Sequence, residues 1–162
     1  MHVSSSTSLD LLLVVNALGL PGRIVPAWVA DRFLGPMNTL IVTVAASGIM
    51  TYIWATVDSL QGTWAFAIIY GFFGAGIQSM FPPALANSGR DAAKIGVEIG
   101  MIFSVMSIGC LCGPPIAGAL IERDGGDYLY AQMFAGSVMT CGALVLMVTR
   151  ILSSGWSLKR KL

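Results

Sequence analysis

The sequence predicts an all-α, polytopic membrane helix bundle with about five transmembrane helices. Three observations predict it. Hydrophobic residues make up 56% of the chain and charged residues only 10%, with a mean hydropathy of +0.79. Soluble domains usually carry about 25% charge. The charges are also segregated, because five long apolar segments hold only Arg23 and Glu98 between them. Finally, each segment approaches or exceeds the roughly 20 residues that cross a hydrocarbon core of about 30 Å. In lipid such spans must be helices, since an open strand edge would leave backbone groups unpaired.

The elements follow in order. Residues 1–9 form a polar, Ser-rich lead. The first span, 11–30, lacks a basic flank on its N-terminal side and runs into a charged turn, so it reads as a span and not as a cleaved leader. A tight turn at 31–37 leads to the second span, 38–57. The turn at 58–61 has no Lys or Arg and precedes the third span, 63–85. A polar loop at 87–94 precedes the fourth span, 95–121, and the Gly-rich turn 124–127 precedes the fifth, 128–149. A tail at 150–162 completes a single membrane domain, 1–162.

Lys and Arg set the orientation. Arg32, the 90–94 loop, Arg150 and the Lys159-Arg160-Lys161 tail lie on one side, and only Arg123 lies on the other. The tail is therefore expected in the cytoplasm. Trp54, Trp64, Tyr128 and Tyr130 sit where interface anchors belong.

The composition supports few kinds of chemistry. A net charge of +1 with no basic patch beyond the tail gives no sign of a nucleic-acid partner. The single histidine, His2, and the cysteines Cys110, Cys112 and Cys141 form no metal-ligand pattern, and Cys110 and Cys112 point to different helix faces. No cofactor is expected. No Ser/His/Asp set, carboxylate pair or phosphate loop is present, so an enzyme is not expected.

Arg23 is the exception. It lies about 12 Å inside the cytoplasmic end of its span. An intramembrane arginine costs roughly 2.5–3.5 kcal/mol even on the insertion scale, so it should face the bundle interior or an aqueous cavity. Asn16 and Gly19 share its helix face. Either the guanidinium meets an anionic substrate such as a carboxylate, or it pairs with a carboxylate as a structural group. Glu98 is four residues from Lys94, and an i,i+4 pair explains it. Thr43, Ser47 and Thr51 form a polar stripe whose hydroxyls either bond preceding carbonyls or line a pore.

Small residues recur as well. Gly71, Gly74 and Gly76 mark the third span; Gly96 with Gly100, and Gly109 with Gly113, make two GxxxG spacings in the fourth. Such spacings let helix backbones touch in lipid. Gly113-Pro114-Pro115 removes two helix donors and predicts a kink or break.

The run Gly22…Asp31-Arg32…Gly35 resembles the loop motif of the major facilitator superfamily. There the Asp can cap a neighbouring helix start and the Arg can bind helix-end carbonyls, latching a cytoplasmic gate. The usual basic pair after the glycine is Pro36-Met37 here, which weakens the latch. Further matches are Asn16…Gly22-Arg23, the stretch Tyr70-Gly71-Phe72-Phe73-Gly74-Ala75-Gly76, and Gly113-Pro114-Pro115-Ile116-Ala117-Gly118 followed by Gly126-Asp127-Tyr128. Over about residues 10–150 they resemble the C-terminal half of monocarboxylate-porter-like facilitators of fungal type.

The resemblance implies a secondary transporter. Its spans would be the eighth to twelfth helices, with the N-terminal half and the seventh helix absent, as in a fragment or a half-transporter. It implies Arg23 and Asn16 as substrate-binding residues, a small organic anion or secondary metabolite as substrate, and a multi-pass protein of the plasma membrane rather than the vacuole. Protons, a second half-transporter and a second copy of the chain are candidate partners beside the lipid bilayer. Members that move lactate-like acids with protons carry an Asp four residues before the arginine; here that position is Gly19, so a larger substrate is expected. The rival reading is a non-transporting membrane relic, or a protein that binds partners through its helices.

Overall fold

A computed structural model describes residues 5–57, 59–88 and 95–154. It contains five helices long and apolar enough to cross a membrane: α1 (Ser5–Val29), α2 (Pro36–Trp54), α3 (Leu60–Ser88), α4 (Ile95–Arg123) and α5 (Leu129–Ser154). The polytopic helical bundle expected from composition is what forms. His2, Asp58, Lys94, most of the loop before α4 and the Lys159-Arg160-Lys161 tail lie outside the described residues, so the expected Glu98–Lys94 pair is not described.

Several boundaries differ from expectation. The polar lead was expected over residues 1–9 and the first span from 11, yet α1 already begins at Ser5. The turn expected at 31–37 is almost wholly helical. Past Val29 the chain continues as one π-helical turn, Ala30–Leu34, and Pro36 opens α2. Only Gly35 breaks the path, at φ 80° and ψ 156°, a backbone region that is essentially confined to glycine. Its N–H closes the turn on the Ala30 carbonyl at 2.8 Å. In the turn between α4 and α5, Gly125 and Gly126 also take positive φ, and the Gly126 N–H reaches the Ile121 carbonyl at 2.9 Å.

At Gly113-Pro114-Pro115, where a kink or break is expected, α4 stays helical from Ile95 to Arg123, so the helix is not interrupted there. Pro21 and Pro26 in α1, and Pro82 and Pro83 in α3, are likewise carried inside continuous helices. Membrane helices accept prolines because local adjustment re-satisfies the few carbonyls that lose a donor.

The helices pack laterally as α1–α3–α2–α5, with α3 and α2 in the middle. Close approach at glycine holds the outer pairs together. At Gly22 a Cβ would overlap the Phe72 carbonyl oxygen and lie 2.9 Å from the Phe72 Cα. At Gly71 it would lie 3.0 Å from the Val15 oxygen. The contacts Val15–Gly71, Gly19–Ala75 and Arg23–Gln78 advance together, so α1 and α3 run parallel. Across the α2–α5 seam, Gly136 admits the Tyr52 ring, and the Tyr52 hydroxyl lies 3.0 Å from Ser137 Oγ. A small apolar cluster of Ala30, Met37, Leu40, Met80 and Ala84 closes the end of the bundle beside the α1–α2 turn.

The stripe on α2 is a packing face and lines no pore. Thr39, Thr43, Ser47 and Thr51 are all buried, and the three threonines bond carbonyls of their own helix or its N-terminal edge. α4 differs from the rest. Among the described residues it makes only sparse contact with α3 and α5, the Phe103 ring meeting Phe81 edge-on, and none of its residues is buried.

Candidate substrate cavity between α1 and α3

The α1–α3 seam opens into a cavity of about 320 Å3 on the face that carries Arg23. From α1 it receives Asn16, Gly19 and Arg23, and from α3 Tyr70, Gly74 and Gln78. Helix geometry explains both sets. Positions 16, 19 and 23 follow i, i+3, i+7, and positions 70, 74 and 78 follow i, i+4, i+8, so each set makes one stripe. The parallel packing of the two helices then sets stripe against stripe. The glycines leave the space. A Cβ at Gly74 would meet only Tyr70 ring atoms at 3.7 Å or more, and one at Gly19 only the Ala75 Cβ at 3.7 Å.

Arg23 donates through Nη2 to Gln78 Oε1 at 3.0 Å. Its partner is thus a neutral amide, and no carboxylate among the described residues pairs with it. Pro21 and Pro26 flank it on α1. A proline lacks the N–H that would bond the carbonyl four residues back, so the Ala17 and Gly22 carbonyls lose their helical donors. The Arg23 carbonyl accepts from Ser79 Oγ at 3.3 Å, a second tie to α3. Asn16 donates to the Leu12 carbonyl at 2.8 Å, which leaves its amide oxygen as an acceptor at the other end of the cavity.

The structure therefore brings Asn16, Gly19 and Arg23 together, as their spacing predicts. Tyr70 and Gln78 were missed. Their signal was available, since Gln78 is a strongly polar residue inside an apolar span and shares the Tyr70–Gly74 face.

The loop-motif residues lie elsewhere. Gly22 sits in the α1–α3 seam, and Gly35 makes the backbone break. Asp31 is exposed, and no side chain caps the start of α2. The Arg32 guanidinium lies over the Trp28 ring at 5.7 Å. What ties this turn to the bundle is a pair that sequence reasoning did not single out. Asn38 donates to the Leu34 carbonyl at 2.7 Å and accepts from Arg150 Nε at 2.9 Å. Arg150 was counted as a loop cation, yet it is only 5% exposed. Gly113, Pro114 and Pro115 are on α4, apart from the cavity lining.

The chain is similar, along nearly its whole length, to fungal MFS-type transporters. It is 35% identical over 151 residues to an aspyridones efflux protein of Emericella nidulans, covering 93% of this chain and 31% of that protein. An MFS-type transporter of Gibberella zeae is 36% identical over 89% of this chain and 32% of its own length. An agnestins efflux protein of Paecilomyces divaricatus is 31% identical over 91% of this chain and 33% of its own. The chain thus spans about a third of the length of the curated relatives it matches. No family model matches the chain, and no solved structure matches it.

Proposed function

We propose that this chain is part of a major facilitator carrier that moves a small organic anion, as a secondary-metabolite exporter of the plasma membrane. In this reading it corresponds to the C-terminal half of a monocarboxylate-porter-like protein, with its tail in the cytoplasm. The observation that carries the proposal is Arg23: a cation held by a neutral glutamine, facing a cavity. In a low-dielectric span an uncompensated guanidinium is costly, and a bound carboxylate relieves that cost with charge-assisted, bidentate hydrogen bonds. Asn16 supplies the second polar contact. The relatives named as efflux proteins support export. Gly19 stands where a proton-coupling acid would be, and no described carboxylate lines the cavity, so the anion is carried without a titrating partner at this site.

The motif residues Gly22, Asp31, Arg32 and Gly35 serve the cytoplasmic gate in this reading, and Gly113, Pro114 and Pro115 a flexible point in α4. Alternating access needs two halves that rock around a midplane site. The bare α4 supports a second reading, in which the chain binds another membrane protein through its helices.

Substitution of Arg23 tests the proposal. In membrane vesicles containing the protein, uptake of labelled organic anions is divided by protein abundance. Arg23→Lys keeps the charge, loses the planar fork and should lower normalised transport; Arg23→Gln should lower it further while abundance holds. Unchanged normalised transport in Arg23→Gln overturns substrate contact. Loss of abundance in both variants assigns Arg23 a structural role instead.

A further inference from the structure

The shape of the cavity narrows the anion, given the reading of Arg23 as its binding group. We infer that the site selects a planar, conjugated organic anion, long enough to place its charged end on Arg23 and its ring system on Tyr70.

Length is the first argument. Asn16 and Arg23 are seven residues apart on α1, which is about 10 Å along the axis, and Tyr70 and Gln78 are about 12 Å apart on α3. The cavity therefore has two ends. At the inner end Arg23 and Gln78 present a charged fork and an amide. At the outer end are Tyr70 and Asn16. A short aliphatic acid reaches only one of them.

The second argument is what stands at the outer end. Tyr70 belongs to a stacked series: Trp54 lies on Phe66 with centroids 4.8 Å apart, and Phe66 on Tyr70 at 5.1 Å. Their planes differ by only 11° and 24°, so the series fixes the tilt of the Tyr70 ring. Phe66 covers one face of that ring, and the ring still borders the cavity. A ligand meets its other face or its edge. An oriented aromatic surface favours a second π system through stacked or edge-to-face contact.

The third argument is the floor. Gly19 and Gly74 keep the middle of the cavity low, and a Cβ at either would find ordinary contact distances. The glycines are therefore not forced by helix contact there, unlike Gly22 and Gly71. The space they leave between the two ends suits the body of a flat molecule.

The test uses the 162-residue chain in phosphatidylcholine nanodiscs. Phenylglyoxal modifies accessible arginines, and mass spectrometry reads the Arg23 peptide, with Arg123 as internal control. The protecting ligands are 2-naphthoate, cyclohexanecarboxylate, 2-naphthylmethanol and inorganic phosphate. Naphthoate should protect Arg23 at a concentration about tenfold below cyclohexanecarboxylate, the upper range for one aromatic contact. Naphthylmethanol and phosphate should protect weakly or not at all. Tyr70→Phe should keep the naphthoate value within about twofold, whereas Tyr70→Leu should bring it to that of cyclohexanecarboxylate.

Equal protection by the two acids overturns the planar class and leaves the anion site standing, and so does a Tyr70→Leu variant that still prefers naphthoate. Phosphate protecting as well as naphthoate overturns it in favour of a phosphate or lipid headgroup. Failure of every acid to protect removes both this inference and the anion site beneath it. The two-acid comparison on the unaltered chain decides even where Tyr70→Leu does not insert.

Discussion

α1 and α4 carry the same kind of pattern and use it in opposite ways. In α1 and its partner α3, glycines mark places where two backbones touch: Gly22 on Phe72, Gly71 on Val15, and Gly76 on the Gly22 carbonyl. In α4, Gly96, Gly100, Gly109, Gly113 and Gly118 are all bare, and a Cβ at any of them would meet nothing within 4 Å. The GxxxG spacings of α4 were expected to be packing contacts within the bundle, and among the described residues they are not. The polar groups repeat the contrast. Tyr52, Asn38 and Arg23 each reach across to another helix, while Ser104 and Ser107 bond only carbonyls of α4 itself. Small residues thus permit close approach without causing it. The contact requires a second surface of matching shape, because lipid tails already satisfy apolar side chains and no hydrophobic force drives helices together.

The sharpest way to break this comparison is to add the same side chain to both helices. Gly22→Val forces a Cβ onto Phe72 backbone atoms that cannot rotate away. It should cost about 3 kcal/mol or more, the upper range for overpacking. Gly109→Val should change stability by less than about 0.5 kcal/mol, as at an uncrowded surface position. Unfolding in bicelles by steric trapping measures both. An equal loss at Gly109 would mean that α4 is seated on a partner in the membrane.

A smaller effect tests whether polar links share the work of the packed helices. Asn38→Ala removes a donor from the Leu34 carbonyl and an acceptor from buried Arg150. Arg150 has further interactions, so the loss should be about 1–2 kcal/mol and not that of an isolated buried charge. The same unfolding assay checks it, with Ser104→Ala on α4 as the control expected to be silent. A silent Asn38→Ala would reduce the contrast between the helices to glycine contact alone.

The smallest expected effect has the opposite sign. Ser47 is fully buried between α2 and its neighbours, and its hydroxyl has no partner among the described residues. Ser47→Ala should be neutral or stabilise the bundle by up to about 1 kcal/mol, because it removes an unsatisfied polar atom. A clear destabilisation would show that Ser47 has a bonding partner in the membrane-embedded protein.

The sequence by itself determined the number of helices, their approximate limits and the place of Arg23. These depend on local properties: an apolar run crosses the bilayer whatever surrounds it, and a cation inside that run must avoid lipid. It also placed Asn16 and Gly19 beside Arg23, because helical period is a local rule. It did not determine which helix faces whom. Tyr70 and Gln78 lie 47 and 55 positions from Arg23 along the chain, and only the parallel α1–α3 crossing brings them to it. Arg150 reads as an ordinary juxtamembrane cation until α5 packs on α2 and buries it against Asn38, 112 residues away. The turn after α1 reads as a loop because charge and glycine punctuate it, yet one glycine suffices to redirect a chain that otherwise remains helical. The tertiary structure decided these points because a glycine's role depends on the surface opposite it, and the pattern of α4 is as good as that of α1 until the partner is known.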